Sequence, residues 1–335
     1  MPTRKDDPAL VRPFRILSID GGGIRGLIPA LLLAELERRT GRPLRQVFDL
    51  FAGTGSGALM ALTLAMPEPA PAAETLTRLF EAHCGRIFHH SLLDELQNPG
   101  GGFDEHYAAQ GLEEVLAELF GETRLSGCTP EVLVTAYDLE KRHPFLFRSR
   151  CARLDPRHDY PLRTVARAAC AAPTYFEPVR IPWPERYEQD VLVDGSCYAS
   201  NPALCAFVEH LALAREGQAP PEVLLVSLGT GRPARALPFD EARDWGPADW
   251  TRHLMELGAD GVADTVDHQL RMLLPPGEKG TPRYYRFQVG LDQDLDGLDN
   301  IAPANLEGLQ RMGRRLLVAA DRELDGLATR LLSTS

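Results

Sequence analysis

Several things are scarce in this chain, and each shortage narrows what it can be. None of its six cysteines (Cys84, Cys128, Cys151, Cys170, Cys197, Cys205) forms a C-x-x-C pair. Their scatter predicts buried free thiols in a reducing cytosol rather than a disulfide framework. Positive charge is also short: 36 Lys and Arg against 47 Asp and Glu leave a net charge of -11. A nucleic-acid polymer would be repelled by such a surface, and strong attachment to an anionic membrane is disfavoured apart from a local basic patch. Long apolar runs are missing as well. The N-terminal stretch MPTRKDDPALVRPFR has no secretory core, and the most apolar run, LIPALLLAEL, is interrupted by Glu35. Nothing approaches the roughly 18 unbroken apolar residues of a membrane span. The expectation is a cytoplasmic protein whose membrane contact, when active, is peripheral. There are no internal repeats, heptads or low-complexity tails. What remains is ordinary globular material, 44% hydrophobic and 25% charged, ample for a sizeable core.

Short apolar runs ending in Gly or Asp alternate with longer helical patterns, the rhythm of βαβ units. FRILSI (14–19) reads as a buried strand, followed by the loop DGGGIRG and the helix LIPALLLAELERRT, which stops near Gly41. DLFAG (49–53) and the helix GALMALTLAM repeat the unit. EVLVTAYD (131–138), VLVD (191–194) and VLLVSLGTG (223–231) are further strands; continuous Val/Leu/Ile runs of this kind suit a buried parallel sheet. The loops at 67–73, 98–103, 232–250 and 275–282 are too short to force a boundary. The reading is an α/β chain with one domain over 12–335, preceded by a flexible extension at 1–11.

Three strand ends carry the chemistry. In the first, Asp20-Gly21-Gly22-Gly23-Ile24-Arg25-Gly26 places bare amides at a helix N-terminus, a nest for phosphate or for a developing oxyanion. Gly21-x-Gly23-x-x-Gly26 also fits the dinucleotide fingerprint, but that pattern wants an acidic residue at the end of the next strand. Here Asp49 begins that strand. The second is FAGTGSGALM (51–60), with the small-residue frame of a nucleophile turn from Gly53 to Gly57. The third is VLVDGS, where Asp194 ends a strand before Gly195 and can act as a general base or simply form a turn. Two such loops at one sheet edge are what acyl transfer requires: a donor-rich loop beside a nucleophile turn.

DGGGIRG, AGTGSGALMAL, ARAACAAPTYFEPV (166–179), DGSCYASNP and VSLGTG follow one another as in patatin-like phospholipases, which the chain resembles from Arg15 to its last helix. It looks most similar to bacterial members, some of which are antiphage effectors switched on by a cyclic nucleotide. The resemblance implies a three-layer α/β/α fold with a central mostly parallel sheet. It implies hydrolysis of phospholipid or other acyl esters by a Ser–Asp dyad without histidine, metal or cofactor. Gly21, Gly22 and Gly23 then match the oxyanion loop, Arg25 the family's basic position and Asp194 the dyad base; DGS replaces the commoner DGG or DGA.

The family's turn reads G-T-S-x-G, and aligning Gly53, Thr54, Gly57, Ala58 and Leu59 puts its serine at position 55, where this chain has Gly55. A nucleophile turn strains its central residue in a way glycine tolerates. Ser56 is one place late, about 100° around the helix, and its plain role there is capping; the alternative is a shifted nucleophile. A natural variant, an engineered substitution and a non-catalytic lipid-binding or regulatory homologue all fit the same residues. His253 and His268, offered as a third triad member, lie in helical patterns that suit surface or packing roles. Asp292, Asp294 and Asp296 imitate a calcium loop whose twelfth position is Pro303 rather than glutamate. Asp299 or Asn300 is expected to cap a last helix beginning at ANLEGL. The 73–90 segment (Leu76, Leu79, Phe80, Ile87) reads as a packing helix or a lid, and Tyr175 and Phe176 as core or acyl-pocket residues.

Overall fold

The computed structural model describes residues 12–89, 107–182, 189–233, 236–277 and 280–333. The expected extension at 1–11 and the loop at 98–103 lie outside them. Eight strands form one sheet: β1 (Phe14–Ile19), β2 (Leu50–Gly53), β3 (Glu131–Asp138), β4 (His143–Arg148), β5 (Val179–Pro182), β6 (Gln189–Asp194), β7 (Val223–Leu228) and β8 (Tyr284–Phe287). Their order is β5-β6-β3-β2-β1-β7-β8, with β4 also on β3. The β3–β2–β1–β7–β8 stretch is parallel, and β4, β5 and β6 add antiparallel pairs.

Side chains alternate across the strands with period two, and both faces of the central strands are covered. Leu17, Ile19, Phe51, Val134, Leu224 and Val226 point into the larger core, beneath the helices Leu27–Thr40, Ser56–Leu64, Gln110–Phe120, Leu162–Ala169, Pro303–Ala319 and Asp321–Leu332. Phe14, Ile16, Leu50, Leu133 and Leu225 point the other way, against Ala203–Arg215 and Pro247–Leu273. This is the three-layer α/β/α arrangement. The first helix ends where the sequence suggests, at Gly41, whose φ of 62° is the left-handed conformation glycine adopts without strain.

Three elements differ from the sequence reading. The tryptophan-bearing stretch 232–250 contains a short helix, Phe239–Ala242, and the first turn of Pro247–Leu273. The last helix is two, broken at Ala320. Neither Asp299 nor Asn300 is its N-cap, which is Ala302; Asn300 Oδ1 accepts from the Ala302 amide, and Asp299 accepts from Tyr107. The 73–90 segment forms the helix Glu74–Ile87, with Leu76 buried and Leu79, Phe80 and Ile87 packed on the core. Phe176 is buried too, ringed by Phe88 and Tyr107.

One detail of β3 positions everything that follows. β4 lies along one edge of β3 over residues 133–138. The other edge is divided: β2 takes its first half, pairing Gly53 with Val134, and β6 takes its second half in the opposite direction, pairing Asp194 with Ala136. The C-terminal ends of β2 and β6 therefore meet head-on, with only Thr135 of β3 between them.

Candidate active site

The meeting of those two strand ends brings Asp194 to Gly55. Gly55 has φ 54° and ψ -127°, a conformation that strains any residue with a side chain, and it immediately precedes the helix Ser56–Leu64. A Cβ built on Gly55 would stand 3.0 Å from Asp194 Oδ2 and 3.5 Å from Gly21 Cα. Whatever side chain occupied position 55 would thus be aimed at the aspartate, beside the triple-glycine loop. The glycines framing the turn are fixed by crowding: a Cβ at Gly57 would overlap the Ile19 carbonyl, and one at Gly53 the Gly57 carbonyl. Beneath the turn, Thr54 and Thr135 share a hydroxyl–hydroxyl bond of 2.6 Å, and Thr54 Oγ1 donates to the Ala199 carbonyl at 2.7 Å. This buried chain ties β2 to β3 and to the segment after β6.

Asp194 is 5% exposed. Burial pushes its carboxyl up to about 7, against the opposing pull of the Ser196 amide, which donates to Oδ1 at 2.8 Å. Oδ1 is therefore held by the backbone while Oδ2 faces Gly55. A carboxylate raised into the neutral range is suited to accepting a proton.

The glycine loop supplies donors. The Gly21 amide is used by the Ser200 carbonyl at 3.2 Å, the Ile24 amide by Leu298 at 2.8 Å and the Arg25 amide by Gly22 at 3.1 Å. The Gly22 and Gly23 amides make no hydrogen bond among the described residues. Both positions admit only glycine, since a Cβ at Gly22 would run into Thr230 and one at Gly23 into the Leu298 carbonyl. The loop is anchored by a buried ion pair that the sequence reading missed. Arg286 Nη2 donates to Asp20 Oδ2 at 2.6 Å, and Nη1 donates to Ser227 Oγ at 2.8 Å. Burial raises the Asp20 carboxyl and the guanidinium beside it opposes that.

The other candidates fall as follows. Ser56 opens its helix, but among the described residues its hydroxyl makes no cap bond and no other hydrogen bond; it lies 3.3 Å from where a Gly26 Cβ would be, beside Phe80. Arg25 is largely buried, which lowers its guanidinium, while Asp260, Asp296 and Glu256 attract it. Asp49 does not face the loop: it holds Arg12 at 2.6 Å and accepts from the Arg15 amide, so the acid of a dinucleotide site is not in place. His268 is exposed, and His253 stacks on Trp245. In the acidic turn, Asp292 pairs with Arg315 and Asp294 takes a positive φ of 66°.

The family model "Patatin-like phospholipase" matches residues 17–207, more than half of the 335. Patatin-like protein 1 of Arabidopsis thaliana is 27% identical, over 94% of this chain and 84% of its own length. Patatin-04/09 of Solanum tuberosum is 27% identical over 90% of this chain and 83% of its own. Among solved structures, human GIVD cytosolic phospholipase A2 aligns with a TM-score of 0.47 at 13% identity, covering 95% of this chain and 60% of that one. Among the described residues, no helix is long and apolar enough to cross a membrane.

Proposed function

The chain belongs to the patatin-like phospholipase family, and we propose that it carries a lipid acyl-hydrolase site whose nucleophile position, 55, is held by glycine. In this reading the chain as it stands binds an acyl ester of a lipid, and a serine at position 55 supplies hydrolysis. The observation that carries it is the 3.0 Å approach of a position-55 Cβ to Asp194 Oδ2.

With serine at 55, its hydroxyl proton passes to Asp194 while Oγ attacks the ester carbonyl. The tetrahedral oxyanion takes its hydrogen bonds from the Gly22 and Gly23 amides, whose preorganisation costs nothing at the moment of reaction. Collapse expels the alcohol, which takes the proton from Asp194, and leaves an acyl-serine. Water activated by the same carboxylate then releases the fatty acid. A base near pH 7 needs no histidine relay.

Ser56 is not required. Its hydroxyl sits beside Gly26 and Phe80, while the position facing Asp194 is 55. The test is esterase and phospholipase activity of Gly55→Ser against the parent and Gly55→Ala. A gain of about 10²-fold or more is expected for serine alone, unchanged when Ser56→Ala is added. A folded Gly55→Ser protein with no gain sinks the proposal. Parent activity abolished by Ser56→Ala would transfer the role to Ser56.

A further inference from the structure

Residues between 233 and 260, together with Asp296, enclose a cavity of about 300 Å³ that the proposed chemistry does not use. One wall is aromatic. Trp245 stacks on His253 with ring centroids 4.4 Å apart and planes 17° apart, and Trp250 meets Trp245 edge-on at 5.1 Å, which fixes the indole in place. Much of the rest is carboxylate, with Asp249, Glu256, Asp260 and Asp296 beside the apolar Leu237 and Leu257, and no lysine or arginine stands among the described lining residues. Burial raises the Asp260 carboxyl, and Arg25 partly offsets that.

An aromatic face surrounded by carboxylates attracts positive charge in two ways, by Coulomb attraction and through the ring quadrupole. The cavity does not suit a bare metal ion: among the described residues, no three His, Cys, Asp or Glu side chains converge to hold one. Its wall of rings and spread carboxylates suits a bulky, weakly hydrated cation. We propose that this cavity binds an organic ammonium group, quaternary or primary, of the size of choline.

The placement gives the ligand a context, and this part rests on the acyl-ester reading above. Arg25 belongs to the glycine loop and is drawn toward Asp260, Asp296 and Glu256, three of the cavity's carboxylates. The Gly22 and Gly23 amides, unbonded among the described residues, and the Arg25 cation thus share one loop, and Arg25 is attracted by the cavity's carboxylates. A zwitterionic glycerophospholipid presents the complementary groups: ester carbonyl, phosphate, ammonium. The segment that supplies most of the lining also carries exposed apolar side chains, Phe239 (77% exposed), Leu254 and Met255. A net charge of -11 makes an anionic surface a poor partner for such a segment and a zwitterionic one an acceptable partner.

The test is calorimetric titration of the chain as it stands, Gly55 included. Choline chloride is expected to bind saturably, and its neutral isostere 3,3-dimethyl-1-butanol roughly tenfold or more weakly. Glu256→Gln and Asp260→Asn should each weaken choline about tenfold, and Trp245→Leu should do the same while Trp245→Phe retains binding. Asp325→Asn, a remote exposed charge paired with Arg39, should change nothing; melting curves establish that each variant is folded. Equal binding of the neutral isostere, or displacement of choline by calcium chloride at matched ionic strength, overturns the proposal. Competition by phosphatidylcholine vesicles but not phosphatidylglycerol vesicles assigns the site to lipid headgroups. Choline binding without vesicle competition supports it as a site for a soluble amine. Because no turnover is read, a Gly55→Ser variant without esterase activity refutes the hydrolase reading and leaves the ammonium site standing.

Discussion

Replacing Asp194 by asparagine should stabilise the protein at alkaline pH and leave it unchanged in acid. The carboxyl is buried, and burial moves it from an ordinary value near 3.8 to about 7. A carboxyl raised on folding binds its proton more tightly in the folded chain. Its contribution to stability is therefore fully present below the unfolded value, near pH 4, and is lost as pH rises through about 7. At about 1.36 kcal/mol per pH unit, the interval amounts to about 4 kcal/mol at most. Asparagine keeps the shape and keeps an oxygen for the Ser196 amide, which donates to Oδ1, but it cannot ionise. The gap between variant and parent should thus be near zero at pH 4, open between pH 4 and 7, and plateau above. Thermal melts from pH 4 to 8.5 measure it directly, because the difference cancels the titration of every other group. A gap that stays flat over this range would mean that Asp194 is hydrated and ordinary. The role of a neutral-range base would then lose its physical support.

The strained turn gives a second expectation: Gly55→Ser should lower stability by about 1–3 kcal/mol while raising activity, so a variant that gains activity without losing stability would contradict the φ of 54°. Gly57→Ala should be worse, at about 2–3 kcal/mol or more, because its Cβ meets the Ile19 carbonyl, whereas Gly21→Ala has 3.3 Å to its nearest neighbour and should be mild; urea midpoints compare the two. Arg286→Met should cost about 3–5 kcal/mol by leaving Asp20 buried and unpaired, with much of the loss recovered in Arg286→Met/Asp20→Leu; a double variant no better than the single one would refute the ion-pair account. Thr54→Val should cost about 1–3 kcal/mol by orphaning the Ala199 carbonyl and the Thr135 hydroxyl, readable in the same denaturation series.

The central strands were legible because they are buried on both faces. FRILSI and VLLVSL are buried at every residue, so no exposed position interrupts the run, and the few polar residues in them, Arg15, Ser18 and Ser227, are buried too. HPFLFR and VRIP were not legible, since β4 and β5 are half exposed and alternate too irregularly to stand out from loop. β8 hid its nature behind Arg286, a charge in a four-residue strand whose partner, Asp20, is 266 positions away. The site's parts were legible one loop at a time, since each glycine's necessity is local: a positive φ at Gly23 and Gly55, crowding at Gly53 and Gly57. Their assembly was not. Nothing in VLVDGS says that its strand runs antiparallel into the end of β2, and the acidic cavity draws Asp296 from a turn remote from the segment that builds the rest.

The divided edge of β3 has a bearing on what position 55 can hold. Val134 and Ala136 set the spacing between the turn and the aspartate by backbone pairing, about 6.6 Å along the strand, and the Thr54–Thr135 hydroxyl chain reinforces it. No side chain at position 55 is needed to hold the two halves in register. A hydroxyl at position 55 can therefore be absent without loosening the frame, and added without rebuilding it. Serine and glycine at position 55 are thus two occupants of one backbone frame. Gly55 is better regarded as a setting of the scaffold than as a defect in it.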